Sequence, residues 1–335
     1  MKIYAQAPCR VDLAGGTLDI WPLCLYHEGV VTVNFAVDRY TRCWIETRSD
    51  SKIILRSRDL HVKEEFDSIE GLIDSPRYRL PLAAWQLRYF RPPTGLEMET
   101  DSEAPAGAGI SGSSALIIAI NTALNRLSGG RRSLERIREI SQNIESQIIR
   151  VPTGAQDYYP AMYGGVNAIT LGPEGVRREP IPLAPEELNA RAVLAYTGVP
   201  RNSGINNWEV MKAHIDGDRR VHRNFERIAA IARAMRAALE SRDWNEVGRL
   251  LRQEWEHRRR NVPTITTPLI DRLVSVTRRA GALGAKACGA GGGGCVFFLV
   301  EPNAKEAVQA AIRSEGAELL DVKVAPRGVR VRVSQ

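Results

Sequence analysis

The chain has 335 residues, 44% of them hydrophobic and 25% charged, and a net charge of +7. That length exceeds what one core usually serves and points to two domains. The basic balance, with no gathered Lys/Arg tract and no aromatic-studded basic face, favours small anionic substrates such as nucleotides over nucleic acid. Five cysteines without CxxC spacing exclude a disulfide framework, and five scattered histidines give no zinc signature.

The opening MKIYAQAP lacks an apolar signal core, and no run approaches roughly 18 apolar residues, so a cytoplasmic protein without membrane contact is expected. Lys2 to Ala7 and Val11 to Ala14 read as short strands around Pro8, followed by a Gly15-Gly16 turn. Segments 29–37, 41–48 and 52–57 alternate apolar and polar residues and are rich in Val, Ile and Thr, which predicts strands at hairpin spacing. A helix is expected over 80–90, then a strand over 96–100 that leads into a glycine-rich loop. Helices follow at 113–127 and 133–149, and a strand at 166–171. The four prolines within 173–185 read as a connector, which divides the chain into 1–180 and 181–335. Beyond it the pattern predicts a strand at 191–196 and helices near 205–214, 219–240, 243–260 and 268–280. A glycine turn, a strand at 295–300, a helix at 303–314 and strands near 317–324 and 328–333 close the chain. The run Arg258-Arg259-Arg260 ends a helix and reads as a solvated C-terminus that complements the helix dipole. Strands and helices interleave irregularly, so the fold class is α+β.

The chemistry is organised around residues 105–115, Pro-Ala-Gly-Ala-Gly-Ile-Ser-Gly-Ser-Ser-Ala. Gly107, Gly109 and Gly112 allow left-handed backbone and close approach of a ligand. The helix that follows directs free N–H groups and a partial positive charge at one point, which makes a phosphate site. Ser111, Ser113 and Ser114 add hydroxyls there. Gly107-x-Gly109-x-x-Gly112 also matches a dinucleotide fingerprint, but Arg131-Arg132 and a second helix stand where that fold needs a strand and an acidic residue. A Walker loop needs a lysine, and none lies between Lys63 and Lys212. A glycine turn that merely packs a helix is the plain alternative.

Three other stretches stand out. Arg10 on a short apolar strand calls for an anionic partner, and Asp19 after Gly15-Gly16 is placed to grip hydroxyls, although a structural salt bridge or an Asp cap would explain either. Glu145 and Asp157 flank a helix end broken by Pro152 and Gly154, so two carboxylates can converge on one pocket. Asp157 would begin a new element whose N–H groups hold its carboxylate. The run Gly289–Gly294, with Gly291 and Gly292 at its centre, suits a second nest for phosphate or substrate, or a hairpin loop.

Taken together, Ala7–Asp19, Pro105–Ala115 and Gly284–Cys295 resemble three motifs of the GHMP kinase superfamily in order and spacing. Within it the chain looks most like sugar kinases of the D-glycero-D-manno-heptose 7-phosphate kinase and L-fucokinase type. The residues behind that are Arg-Val-Asp-Leu-Ala-Gly-Gly with Asp19, Gly154-Ala-Gln-Asp157 with Tyr163-Gly-Gly-Val-Asn167, and Thr197-Gly-Val-Pro-Arg201. The resemblance implies an N-terminal ATP-binding domain like the second domain of ribosomal protein S5 and a ferredoxin-like C-terminal domain. It further implies ATP held by Pro105, Gly107, Gly109, Ser111, Gly112, Ser113 and Ser114, with Mg²⁺ on Ser114 and Glu145. Asp157 would act as base or electrostatic partner, Arg10 would polarise the hydroxyl or the γ-phosphate, and Asp19, Arg201, Gly291 and Gly292 would meet the sugar or sugar phosphate, its anomeric hydroxyl being the acceptor. The expected form is a monomer or homodimer with no macromolecular partner. Cys9, Gly15-Gly16-Thr17 and Gly112 depart from patterns seen in relatives, and the second departure argues against galactose. A mevalonate- or polyol-type kinase and a catalytically silent nucleotide- or sugar-binding relative are the competing readings.

Overall fold

The computed structural model describes residues 1–200, 205–261 and 263–334. Two stretches expected as pairs of short strands are continuous. β1 (Lys2–Ala14) passes through Pro8 because a register shift between Pro8 and Cys9 absorbs the missing N–H. β2 (Val30–Thr47) runs antiparallel to it over nearly its whole length. β3 (Ile53–Ser57), β4 (Val62–Phe66), α1 (Ile69–Asp74), α2 (Pro81–Phe90) and β5 (Leu96–Ser102) lead to the glycine loop.

α3 (Gly112–Leu127) follows the loop and packs on β1 and β2. It buries Ile117, Ile118, Ile120 and Leu124, each worth about 1.5–3 kcal/mol relative to exposure. α4 (Leu134–Ile149) starts at Ser133, whose hydroxyl accepts from the Arg136 N–H, an N-cap that ends the turn after α3. α5 (Tyr158–Tyr163), β6 (Val166–Gly172) and β7 (Gly175–Pro180) come next. The proline-rich segment read as a connector thus contains a strand: β7 is an edge strand on β6, where Pro180 owes no ladder hydrogen bond.

The rest of the chain is α6 (Pro185–Asn189), β8 (Ala192–Tyr196), α7 (Ile205–Ile215), α8 (Arg219–Ser241), α9 (Trp244–Asn261), α10 (Pro268–Arg279), β9 (Ala282–Ala287), β10 (Cys295–Val300), α11 (Lys305–Ser314), β11 (Glu318–Leu320) and β12 (Arg330–Ser334). One sheet has the order β12-β1-β2-β5-β3-β4, with β6 on β2 and β7 on β6; the other is β11-β8-β10-β9. β12 pairs with β1, so residues 330–334 belong to the first sheet, although the division at 180/181 had grouped them with the second. Phe35 of β2 meets Phe297 of β10 edge to face at 5.6 Å, which joins the two sheets through one apolar core. No helix among the described residues is long and apolar enough to cross a membrane.

Candidate active site

A cleft of about 380 Å³ lies where the two halves of the chain meet, with Arg10 and Asp12 of β1 on one side and Arg258, Gly289 and Ala290 on the other. One wall is the loop between β5 and α3. Gly107 and Gly109 turn through φ of 67° and 80°, a backbone path that suits glycine, and the Ala108 N–H between them closes the loop on the Pro105 carbonyl at 3.0 Å. Gly112 does not share that conformation. It opens α3, where a Cβ would lie 3.1 Å from that of Ala104, and Ser111 takes the left-handed turn at φ 65° in its place. The Ser111 hydroxyl is buried at the mouth of α3, without a partner among the described residues.

The loop is held from two sides. Arg10 donates its backbone N–H to the Ile110 carbonyl at 3.0 Å and its Nη1 to the Gly109 carbonyl at 2.7 Å. Cys295 donates its N–H to the Ala108 carbonyl at 2.7 Å, and a Cβ on Gly294 would fall 2.7 Å from the same oxygen. The second glycine run is therefore a buttress for the first loop. Gly291 and Gly292 are packed against Ile265, whose carbonyl accepts from the Gly292 N–H at 2.7 Å. The cleft wall is formed by Gly289 and Ala290, not by the two glycines expected there.

At the start of α3, three hydroxyls converge on Glu145 of α4. Ser113 donates to Oε1 at 2.6 Å, Ser114 to Oε2 at 3.0 Å and Tyr158 to Oε2 at 2.5 Å. Glu145 is 4% exposed. Burial raises its pKa, and the Asp157 charge adds to that against the pull of the three hydroxyls. A hard divalent cation would restore the anion, and an all-oxygen donor set beside a phosphate loop fits one.

Asp157 stands before α5 but makes no capping bond, contrary to expectation. Its Oδ1 instead accepts from Arg10 Nε at 2.9 Å and Nη2 at 2.6 Å, because an ion pair with a buried guanidinium outweighs neutral amides. Burial works against the charge on Arg10, but Asp157 and Asp12 overcome it and hold the guanidinium above its usual range. Asp19 is 3% exposed and accepts from the Gln156 N–H at 2.9 Å. Burial, with the nearby Asp157 charge, pushes its carboxyl up to about 6. Arg10, Asp19, Ser111, Ser114, Glu145 and Asp157 all line the one cleft. Arg201 lies outside the described residues.

Sequence reasoning missed an ion network beneath this surface. Asp12 is fully buried, accepts from Lys286 Nζ at 2.5 Å and from the Gly289 N–H at 2.9 Å, and lies 3.7 Å from Arg258. Its burial would raise its pKa, but Lys286, Arg10 and Arg258 hold it well below the usual carboxylate range. Glu254 balances Lys286 and Arg258. Arg258 is not a solvated helix end: it is 5% exposed and donates to the Gly289 carbonyl at 2.8 Å and to Thr17 Oγ1 at 3.2 Å. The lone lysine in the small-residue strand Ala-Leu-Gly-Ala-Lys-Ala was the available signal.

A phosphate-cradling loop at a helix start, faced by two carboxylates in a cleft to which both halves of the chain contribute, defines a small-molecule phosphotransferase. Residues 79–165 match the GHMP kinases N-terminal domain and residues 235–318 the GHMP kinases C-terminal domain, together just over half of the chain. The chain belongs to the GHMP kinases and is a nucleotide-using kinase with their two-domain fold. It is 28% identical to a D-glycero-alpha-D-manno-heptose 7-phosphate kinase of Campylobacter jejuni, over 98% of both chains. It is also 26% identical to a mevalonate kinase of Thermococcus onnurineus, over 99% of this chain and 98% of that one. Among solved structures, a D-glycero-D-manno-heptose 1-phosphate kinase from Bacteroides thetaiotaomicron superposes with a TM-score of 0.80 at 22% identity, covering 99% of each chain.

Proposed function

We propose that the chain transfers the γ-phosphoryl group of ATP to the anomeric hydroxyl of a sugar or sugar phosphate, a heptose 7-phosphate being the first candidate. The observation that carries this reading is the convergence on one cleft of the phosphate loop, the Ser113–Ser114–Glu145 oxygens, the Asp157–Arg10 pair and Asp19. Full-length similarity to the Campylobacter heptose 7-phosphate kinase supports the acceptor class.

In this reading Ser114 and Glu145 hold Mg²⁺, with Ser113 beside them. The bound ion supplies positive charge to the phosphate oxygens. Everything else falls to the chain's own groups. The loop N–H groups and the buried Ser111 hydroxyl bind the phosphates and hold them in line with the acceptor. Asp19 and Gln156 fix the acceptor's other hydroxyls. Arg10 occupies Asp157 Oδ1 with two N–H groups, which leaves Oδ2 to accept the acceptor proton as the new P–O bond forms. Arg10 is thus a positioning residue for Asp157, and its Nη1, spent on the Gly109 carbonyl, fixes the loop and the carboxylate in one frame.

The similarity to mevalonate kinases favours a second reading, a mevalonate- or polyol-type acceptor. ADP release from Mg-ATP over a panel of free sugars, heptose phosphates, polyols and mevalonate separates the two. Turnover on a phosphorylated heptose with the new phosphate on the anomeric carbon, assigned by phosphorus NMR, supports the proposal. Turnover confined to mevalonate or a polyol refutes it, and absence of any turnover favours the silent relative.

A further inference from the structure

Three histidines, one near the start of the chain and two close together in its second half, meet at one point. His27 sits between the short 3-10 turn Leu23–Leu25 and β2, His214 in the last turn of α7 and His222 in the first turn of α8. One ring nitrogen of each lies within 4.8 Å of the others, and the Nε2 atoms of His27 and His214 are 2.9 Å apart. The ring centroids are 4.9 to 5.0 Å from one another. His214 is 7% exposed, and its Nδ1 is buried with no partner among the described residues. One of the two Nε2 atoms can donate to the other across 2.9 Å, which accounts for that pair but not for the third ring brought against both.

A metal ion accounts for the cluster better. Zinc–nitrogen bonds of about 2.0–2.1 Å in a tetrahedron set neighbouring ligand nitrogens about 3.3 Å apart. The observed separations bracket that edge, so small ring rotations reach it. Outside the cluster, His222 Nδ1 lies 3.5 Å from the Glu226 carboxylate, the kind of outer partner that orients a ligating imidazole.

We propose that His27, His214 and His222 bind one divalent transition-metal ion of the zinc class, with water completing the coordination. Three imidazoles select such an ion over Mg²⁺, so this site is chemically separate from the oxygen set around Glu145. The ion would tie together the segment that follows Asp19, the end of α7 and the start of α8. At its other end α7 carries Asn207, whose Oδ1 accepts from Thr17 Oγ1 at 3.0 Å in the cleft wall. Metal binding would thereby steady the acceptor side of the cleft.

The test is a titration of the chelator-stripped full chain with Co²⁺ in excess Mg²⁺, followed by displacement with Zn²⁺. The expected result is one equivalent per chain, an intense visible band of four-coordinate cobalt, and loss of that band on adding one equivalent of Zn²⁺. His222→Gln, at a partly exposed position, should weaken Co²⁺ and Zn²⁺ binding at least tenfold without changing the melting temperature of the metal-free protein, and His214→Asn should abolish it. A folded wild-type chain that takes up no stoichiometric Co²⁺ or Zn²⁺, or binding unchanged in both variants, overturns the proposal. These readouts do not depend on which acceptor the kinase uses.

Discussion

Asp157→Asn separates catalysis from architecture. Asn keeps an oxygen at the Oδ1 position, so both Arg10 hydrogen bonds, at 2.9 and 2.6 Å, remain possible. What disappears is the charge. A hydrogen bond to a charged partner is worth about 1.5–3 kcal/mol against 0.5–1.5 for a neutral one, and the Asp157 side chain is one-quarter exposed. The expected stability loss is therefore about 1–2 kcal/mol, measured as a shift in a urea midpoint at constant slope. Catalysis should suffer far more, because an amide cannot accept the hydroxyl proton: a loss of about 10²–10⁴ in kcat, equivalent to about 3–5 kcal/mol. Nucleotide affinity should hold within a few-fold, since Asp157 hydrogen-bonds Arg10 while the serines hydrogen-bond Glu145. Calorimetric titration of Mg-ATP reads the affinity and steady-state kinetics the kcat, beside the urea midpoint for stability. Retained kcat would refute the role in proton transfer, and lost nucleotide binding would move Asp157 into the metal site.

Ser114→Ala should lower kcat about 100-fold, the usual scale for one electrostatic group at a reacting centre, and raise the Mg²⁺ concentration needed for half-maximal rate. An unchanged Mg²⁺ dependence would remove Ser114 from the metal. Asp19, with its carboxyl pushed up to about 6, should make KM for the acceptor climb as pH falls through 6 while KM for ATP stays level, and Asp19→Asn should erase that titration. The same upward shift means that the folded chain holds a proton the unfolded chain has lost between about pH 4 and 6. Wild type relative to Asp19→Asn should therefore lose stability as pH rises across that window. Lys286→Met should cost about 3–5 kcal/mol in a denaturant titration, because it strips a fully buried cation from Asp12 and Glu254. A loss below 1 kcal/mol would mean that Arg10 and Arg258 suffice for Asp12.

How legible these features were depended on distance along the chain. The glycine loop and α3 could be read because glycine placement and helical spacing are local signals. Glu145 and Asp157 could be named as a converging pair because only a helix end separates them. Arg258 was misread because its neighbours behave as the rule says: Arg259 pairs with Asp271 and Arg260 with Glu256 at the surface, while Arg258 turns inward and meets residues more than two hundred positions away. β9 went unseen because Ala and Gly carry little strand preference, and only pairing with the apolar β10 fixes it. His27 lies nearly two hundred residues before His214 and His222, and no spacing rule reaches across that.

The return of β12 to the edge of β1 has a mechanical consequence. The chain passes from the first sheet to the second after β7 and passes back after β11, so the two lobes are hung on two separate posts. A backbone bridge between Val37 and Val324 ties the returning segment to β2 on its way. A body held at two points keeps one free rotation, about the line that joins them, so the two crossings define a single hinge axis and resist every other relative movement of the lobes.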